Sequence, residues 1–118
     1  MSIARHQVGP RMSQAVVHNQ TIYIAGQVAT DSRAAGAADQ TKEILAKIDA
    51  LLAAADPDKS KILSATIWLT DMSTFAEMNR IWDAWVTPGS TPARATVTSP
   101  QLAAPDYKVE IAVIAAQS

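Results

Sequence analysis

The chain contains no cysteine, which excludes disulfide staples, thiolate catalysis and cysteine-based metal sites and permits a reducing compartment. Glycine is scarce, with four residues, and none of them builds a glycine-rich phosphate loop. Neither sign of charge dominates: 10 Lys and Arg stand against 11 Asp and Glu for a formal net charge of −1. The basic residues are scattered rather than striped along one face, so nucleic acid is not expected as a principal partner. No apolar stretch approaches the about 20 residues needed to span a bilayer, and the opening MSIARHQVGP has no apolar run of signal-peptide type. A cytoplasmic protein with no membrane contact is therefore expected. His6 and His18 have no partner at metal-ligand spacing, so no metal is expected. Ser13 and Ser99 lack the G-x-S-x-G context of a serine nucleophile.

What is present reads as one α+β domain over residues 1–118. A chain of this size buries about two thirds of the surface its unfolded form exposes, enough for a true core. Ser13 to His18 and Thr21 to Ala25 are short β-like runs around Asn19-Gln20, predicting that the chain opens with a hairpin. Asp31, Ser32 and the Ala-rich run around Gly36 form a loop. From about Asp39 the pattern turns helical, with Ile44, Ile48, Leu51 and Leu52 on one stripe, until Asp56-Pro57-Asp58 stops it. In Lys61 to Thr70, Leu63, Ala65, Ile67 and Leu69 alternate with Ile62, Ser64, Thr66 and Trp68, which predicts a strand with apolar groups on both faces.

A second helix is expected from Ser73 or Thr74, with Thr74 and Glu77 at capping-box spacing. Phe75, Met78, Trp82 and Trp85 lie along one side of it, the tryptophans as core, and Pro88-Gly89 ends it. Strands at Ala93 to Thr98 and Tyr107 to Ala116 complete the set. Two helices then cover one face of a mixed β-sheet. The other face carries Trp68, Ile62, Ala112 and Ile114, and burying each large apolar group is worth about 1.5–3 kcal/mol. Another copy of the chain is the simplest cover.

Two charged residues stand in these strands. Arg94 shares a face with Thr96 and Thr98, and Glu110 shares one with Ala112 and Ile114. A carboxylate among apolar groups is costly to leave unpaired, so Arg94 and Glu110 are expected near each other or near one cleft. Pattern alone leaves two readings open: a structural ion pair, or an arginine that binds a carboxylate beside a glutamate that positions or deprotonates a water.

The runs Ala25-Gly26-Gln27, Ile67-Trp68-Leu69-Thr70-Asp71-Met72 with Phe75-Ala76-Glu77-Met78-Asn79, Pro92-Ala93-Arg94-Ala95-Thr96-Val97, and Val109-Glu110-Ile111 together resemble the YjgF/RidA family. The similarity runs in order from about residue 9 to residue 116. The resemblance implies a chorismate-mutase-like fold assembled as a homotrimer, with sheets packed inward and helices outside. It implies hydrolysis of reactive 2-imino and 2-enamino acids to 2-oxo acids and ammonia, in clefts between subunits, with no metal or organic cofactor. The ligand would be a small carboxylate-bearing metabolite.

Position by position, the resemblance makes Arg94 the carboxylate-binding arginine and Glu110 the holder of the attacking water. Asn79, Thr96 and Gly26 would line the cleft. The chain departs from the deaminases twice. Thr96 stands where they carry cysteine, and Gly9-Pro10-Arg11 replaces a Gly-Pro-Tyr segment whose tyrosine enters the cleft. Arg11 either reshapes the cleft for a larger or more acidic ligand or is a solvated surface charge. The alternative to catalysis is a binding protein that captures a 2-oxo acid in the same cleft. Ribonuclease activity, attached to some relatives, lacks both a basic stripe and an acid–base histidine pair here.

Overall fold

The computed structural model describes residues 2–56 and 61–118. Its elements, in chain order, are β1 (Ala4–Val8), β2 (Ser13–His18), β3 (Thr21–Gln27), α1 (Ala37–Ala55), β4 (Lys61–Leu69), α2 (Phe75–Trp85), β5 (Ala93–Thr98) and β6 (Val109–Ala116), with a 3-10 turn at Met72–Thr74 ahead of α2. They form one six-stranded sheet of order β1-β2-β3-β6-β4-β5. Every neighbouring pair is antiparallel except β4 and β5.

The hairpin read from Asn19-Gln20 is present, and both residues adopt left-handed backbone, φ 55° and 62°. Two successive positive φ values make the turn whose twist matches that of the strands it joins. The chain does not open with that hairpin, however. β1 precedes it and pairs with β2 from Ala4↔Val17 to Val8↔Ser13. β1 is an edge strand, exposed at all but His6, so it carries no alternating apolar pattern by which sequence could reveal it.

The core lies between one sheet face and the two helices. Ile22, Ile67, Leu69, Val109, Ile111 and Val113 are fully buried beneath Ile44 and Ile48 of α1 and Met78 of α2. Trp82 is buried too, and Trp85 stacks on it in a tilted arrangement at 5.3 Å. α1 ends at Ala55. Asp56, its cap, is extended at φ −153° and ψ 90°, the geometry imposed on a residue before proline; Pro57 and Asp58 lie outside the described residues.

The expected capping box at Thr74 and Glu77 does not form. Thr74 already lies inside the 3-10 turn at φ −89° and ψ 3°, and its hydroxyl donates to the Asp71 carbonyl at 2.7 Å. The Asp71 carboxylate accepts from the Ser73 N–H at 2.9 Å and so caps the turn instead. Glu77 is thereby free to reach α1, whose N-cap, Gly36, has no side chain to offer. Its carboxylate accepts from the Ala38 N–H at 3.2 Å.

The second sheet face carries large apolar groups, as the alternation in β4 and β6 requires. Register puts Trp68 beside Glu110, Thr66 beside Ala112, and Tyr23 and Ser64 beside Ile114 on this face. Tyr23 and Ile114 are 47% and 37% exposed. One assignment is corrected: Ile62 pairs with the buried Ala115 and packs on the helix side. A register shift between Ile62 and Ser64 leaves Leu63 as an extra residue, 51% exposed, and reverses the alternation before it.

Candidate functional site

Arg94 belongs to the outermost strand. β5 runs parallel to β4 with Arg94 beside Ala65 and Thr96 beside Ile67. Ala65 and Ile67 face the helices, so Arg94 and Thr96 do as well. On α2, Phe75, Asn79 and Trp82 follow at spacings of four and three, which brings them to one side of the helix. They meet the arginine there. Its Nη1 donates to the Asn79 Oδ1 at 2.8 Å, and the guanidinium carbon lies 5.3 Å from the Trp82 ring centroid and 5.8 Å from that of Phe75.

Cation–π contact and one hydrogen bond hold the fork in place without neutralising it. Among the described residues Arg94 has no carboxylate partner, so most of its five donors remain for a ligand. Thr96, on the same face, has a buried hydroxyl with no hydrogen-bond partner among the described residues. Leaving such a group unsatisfied costs about 1–3 kcal/mol.

Glu110 stands on the other face, beside Trp68. Its position depends on an irregularity in β3. Ile24 pairs with Val113, but the next pairing is Gln27 with Ile111, so Ala25 and Gly26 form a bulge. Gln27 pins the bulge by donating to the Ala25 carbonyl at 3.0 Å and the Gln14 Oε1 at 2.8 Å. The Glu110 side chain lies over Gly26. A methyl group at residue 26 would collide with the carboxylate, reaching 2.9 Å from its Cδ and 3.2 Å from its Cγ. Burial pushes the Glu110 carboxyl above the ordinary carboxylate value.

The strand that carries Glu110 is anchored from below by a residue the sequence reading passed over. Gln40 of α1 is fully buried. Its Nε2 donates to the carbonyls of Asp106 at 3.0 Å, Ala35 at 3.1 Å and Arg33 at 3.2 Å, while its Oε1 accepts from the Lys108 N–H at 2.8 Å. Lys108 Nζ also donates to the Ala35 carbonyl at 2.9 Å. One amide thus joins the loop before α1 to the entry of β6. The signal was available: Gln40 lies one helical turn before Ile44 on the apolar stripe of α1, where an amide must be buried and bonded.

Arg94 and Glu110 are not together. Within one chain the expected nearness is not found and the two form no ion pair, because the parallel register of β4 and β5 sets Arg94 in phase with Ala65 while the antiparallel register of β4 and β6 sets Glu110 in phase with Trp68. Three residues of rise and two strand spacings separate them in the sheet plane, about 14 Å, and they point to opposite sides. Arg94, Asn79 and Thr96 form one cluster; Gly26 and Glu110 form another. Arg11 is exposed in the β1–β2 turn, closed by the Gly9 N–H donating to the Met12 carbonyl at 2.8 Å, with no charged partner among the described residues. Among those residues no His, Asp and Glu cluster could hold a metal ion, and no helix is long and apolar enough to cross a membrane.

The sequence and the fold both have known counterparts. A family model described as Endoribonuclease L-PSP matches residues 4–117. The chain is 46% identical over 116 residues to the RutC family protein YoaB of Escherichia coli, covering 98% of this chain and 99% of that protein. It is 36% identical over 115 residues to a 2-iminobutanoate/2-iminopropanoate deaminase of Mus musculus, covering 93% of this chain and 83% of that protein. The crystal structure of a YjgF-family protein from Neisseria meningitidis superposes with a TM-score of 0.93 at 44% identity, covering 100% of this chain and 97% of that one. Order of motifs, sheet topology and these likenesses agree, and the chain belongs to the YjgF/RutC family.

Proposed function

We propose that this protein hydrolyses 2-imino acids and their enamine tautomers to 2-oxo acids and ammonia, at a site built jointly by two copies of the chain within a homotrimer. The observation that carries this reading is the Arg94 guanidinium, held by Asn79 and two aromatic rings yet without a counter-charge among the described residues. That is a carboxylate receptor with its orientation fixed in advance. The named activity of the mouse relative supports the choice of substrate. Because one chain presents Arg94 and Glu110 on opposite sides of its sheet, a neighbour's β5 edge laid against the open face is what unites them. The same contact covers Tyr23, Trp68 and Ile114.

In that site Arg94 fixes the substrate carboxylate, and the Thr96 hydroxyl supplies a further hydrogen bond. Glu110 holds a water against the imine carbon. The water oxygen bonds to that carbon while one of its protons passes through the glutamate to the nitrogen, giving a carbinolamine; the remaining hydroxyl proton then follows the same route to the nitrogen as the carbon–nitrogen bond breaks, releasing ammonia and leaving the 2-oxo acid. An imine carbon is already electrophilic, so orientation and one proton shuttle suffice, and no cofactor takes part. Burial of Glu110 raises its pKa toward that of the groups it exchanges protons with. The absence of cysteine suits a reducing cytoplasm as the compartment.

The test is hydrolysis of 2-iminopropanoate generated in situ. Glu110→Gln should lower kcat by about 100-fold or more, and Arg94→Ala should raise KM strongly. Because burial disfavours the carboxylate, the wild-type rate should rise with pH through a pKa above the ordinary glutamate value, and Glu110→Gln should lose that limb. Wild-type turnover no faster than buffer would overturn the reading. A second reading, a non-catalytic receptor for 2-oxo acids, draws on the separation itself: Arg94, Asn79 and Thr96 form a carboxylate site whose arginine is paired with no acid among the described residues of its own chain. Calorimetric binding of pyruvate without imine turnover would favour it. Ribonuclease activity, named in the family description, finds no basic stripe on a chain of net charge −1.

A further inference from the structure

A second concavity lies on the helix side of the molecule, where the C-terminal ends of α1 and α2 meet the first residues of β4. We infer that it binds a small aliphatic α-amino acid in its zwitterionic form. The cavity measures about 330 Å³, and Asp49, Leu52, Lys61, Ile62, Trp85 and Val86 are among its walls. That volume is at the low end of the about 300–1,000 Å³ that ligand pockets span, the scale of a single amino acid.

The floor is apolar, formed by Leu52, Ile62, Trp85 and Val86, and suits an aliphatic side chain. The rim carries two opposite charges that do not satisfy each other. Asp49 and Lys61 both line the cavity, yet neither takes part in any ion pair among the described residues. A ligand bearing an ammonium and a carboxylate on one carbon meets both charges; a simple acid or amine meets only one.

Two features favour the ammonium at the Asp49 end. Both oxygens of Asp49 accept from the Trp85 indole N–H, at 3.0 and 3.1 Å, which fixes the carboxylate while leaving lone pairs free. α2 also ends at this cavity, with Trp85 and Val86 in the wall and no basic residue in its last turn, so the partial negative charge of its carbonyl end lies beside the site. Lys61, the only cation among the described residues of the wall, then receives the carboxylate. The hydroxyls of Thr87 and Ser90 complete the polar rim. Arg94, Asn79, Thr96, Gly26 and Glu110 all lie outside this cavity's wall, so binding here is independent of the deaminase reading.

Calorimetry and tryptophan fluorescence with L-valine provide the test, since Trp85 is in the wall. Saturable binding below about 20 mM is expected. Isobutylamine and 3-methylbutanoate, which each lack one charge of valine, should bind at least about tenfold more weakly, as should valine to Asp49→Asn and to Lys61→Met. Asparagine still accepts from the indole, and Lys61 is exposed, so circular dichroism should find both variants folded; the exposed Lys61 variant decides the matter if the other fails to fold. Arg94→Ala should bind valine as the wild type does. No saturable signal, equal affinity for isobutylamine, or loss of binding in Arg94→Ala would each overturn the assignment.

Discussion

Replacing Gln40 by methionine isolates what its amide contributes, because the two side chains have similar volume and only the polar atoms are lost. Gln40 has two amide hydrogens for three carbonyls, at 3.0, 3.1 and 3.2 Å, so those contacts amount to two full bonds; the 2.8 Å bond from the Lys108 N–H makes a third. Each net bond is worth about 1 kcal/mol, and the buried N–H left behind adds about 1–2 kcal/mol more. The carbonyls of Arg33 and Asp106 belong to exposed residues and can turn to water, so they add no such penalty. The expected loss is about 3–5 kcal/mol, a fall in Tm of roughly 10 °C or more for a domain of this size. Urea unfolding at one fixed protein concentration measures it, since assembly makes apparent stability concentration-dependent. Amide exchange should accelerate at Lys108 and Ala35 while the centre of β4 stays protected. A loss below about 1 kcal/mol, with Lys108 still protected, would show that Gln40 merely fills space and would refute the reasoning.

Gly26→Ala places a methyl group against the Glu110 carboxylate, so imine turnover should fall with little change in fold as judged by circular dichroism; unchanged kcat would mean that Glu110 is not held over the bulge. Glu43 supplies a pH test of stability. Burial raises its pKa, but hydrogen bonds from the Ser32 hydroxyl and the Asp31 N–H and the nearby Lys47 ammonium outweigh it and leave the pKa below the ordinary value. A carboxyl whose pKa is lowered on folding contributes stability above its unfolded pKa, and that contribution is lost as pH falls through the folded value. Wild-type Tm should therefore drop more than that of Glu43→Gln as pH is lowered from about 5 to below about 4, with the two curves parallel above about pH 5; curves parallel throughout would dispose of the idea.

Much of the fold could be read from the residues because it follows from burial. The stripe Ile44, Ile48, Leu51 and Leu52 and the alternation in β4 and β6 record which atoms leave water. β1 leaves no such record, being exposed along most of its length. The bulge at Leu63 misled the reading of Ile62, since one extra residue reverses the parity that alternation depends on. The candidate site was legible as residue types but not as geometry. Sequence shows that Arg94 and Thr96 share a face and that Glu110 and Ala112 share one. Which of those faces meets the helices is decided by inter-strand register, a long-range property absent from either strand alone. Gln40 and Glu77 were missed for a related reason: each acts on a distant segment, and local spacing offered Glu77 a nearer partner that the 3-10 turn takes away.

That borrowed acceptor bears on the order in which the molecule matures. α1 begins at a glycine cap, and its Ala38 N–H obtains a side-chain acceptor from Glu77, 39 positions beyond Ala38. While the chain emerges from the ribosome, the first turn of α1 has no such acceptor until α2 has been synthesised and has docked. The start of the longer helix is thus sealed late, by the arrival of the shorter one, and the loop before it settles only after both are in place.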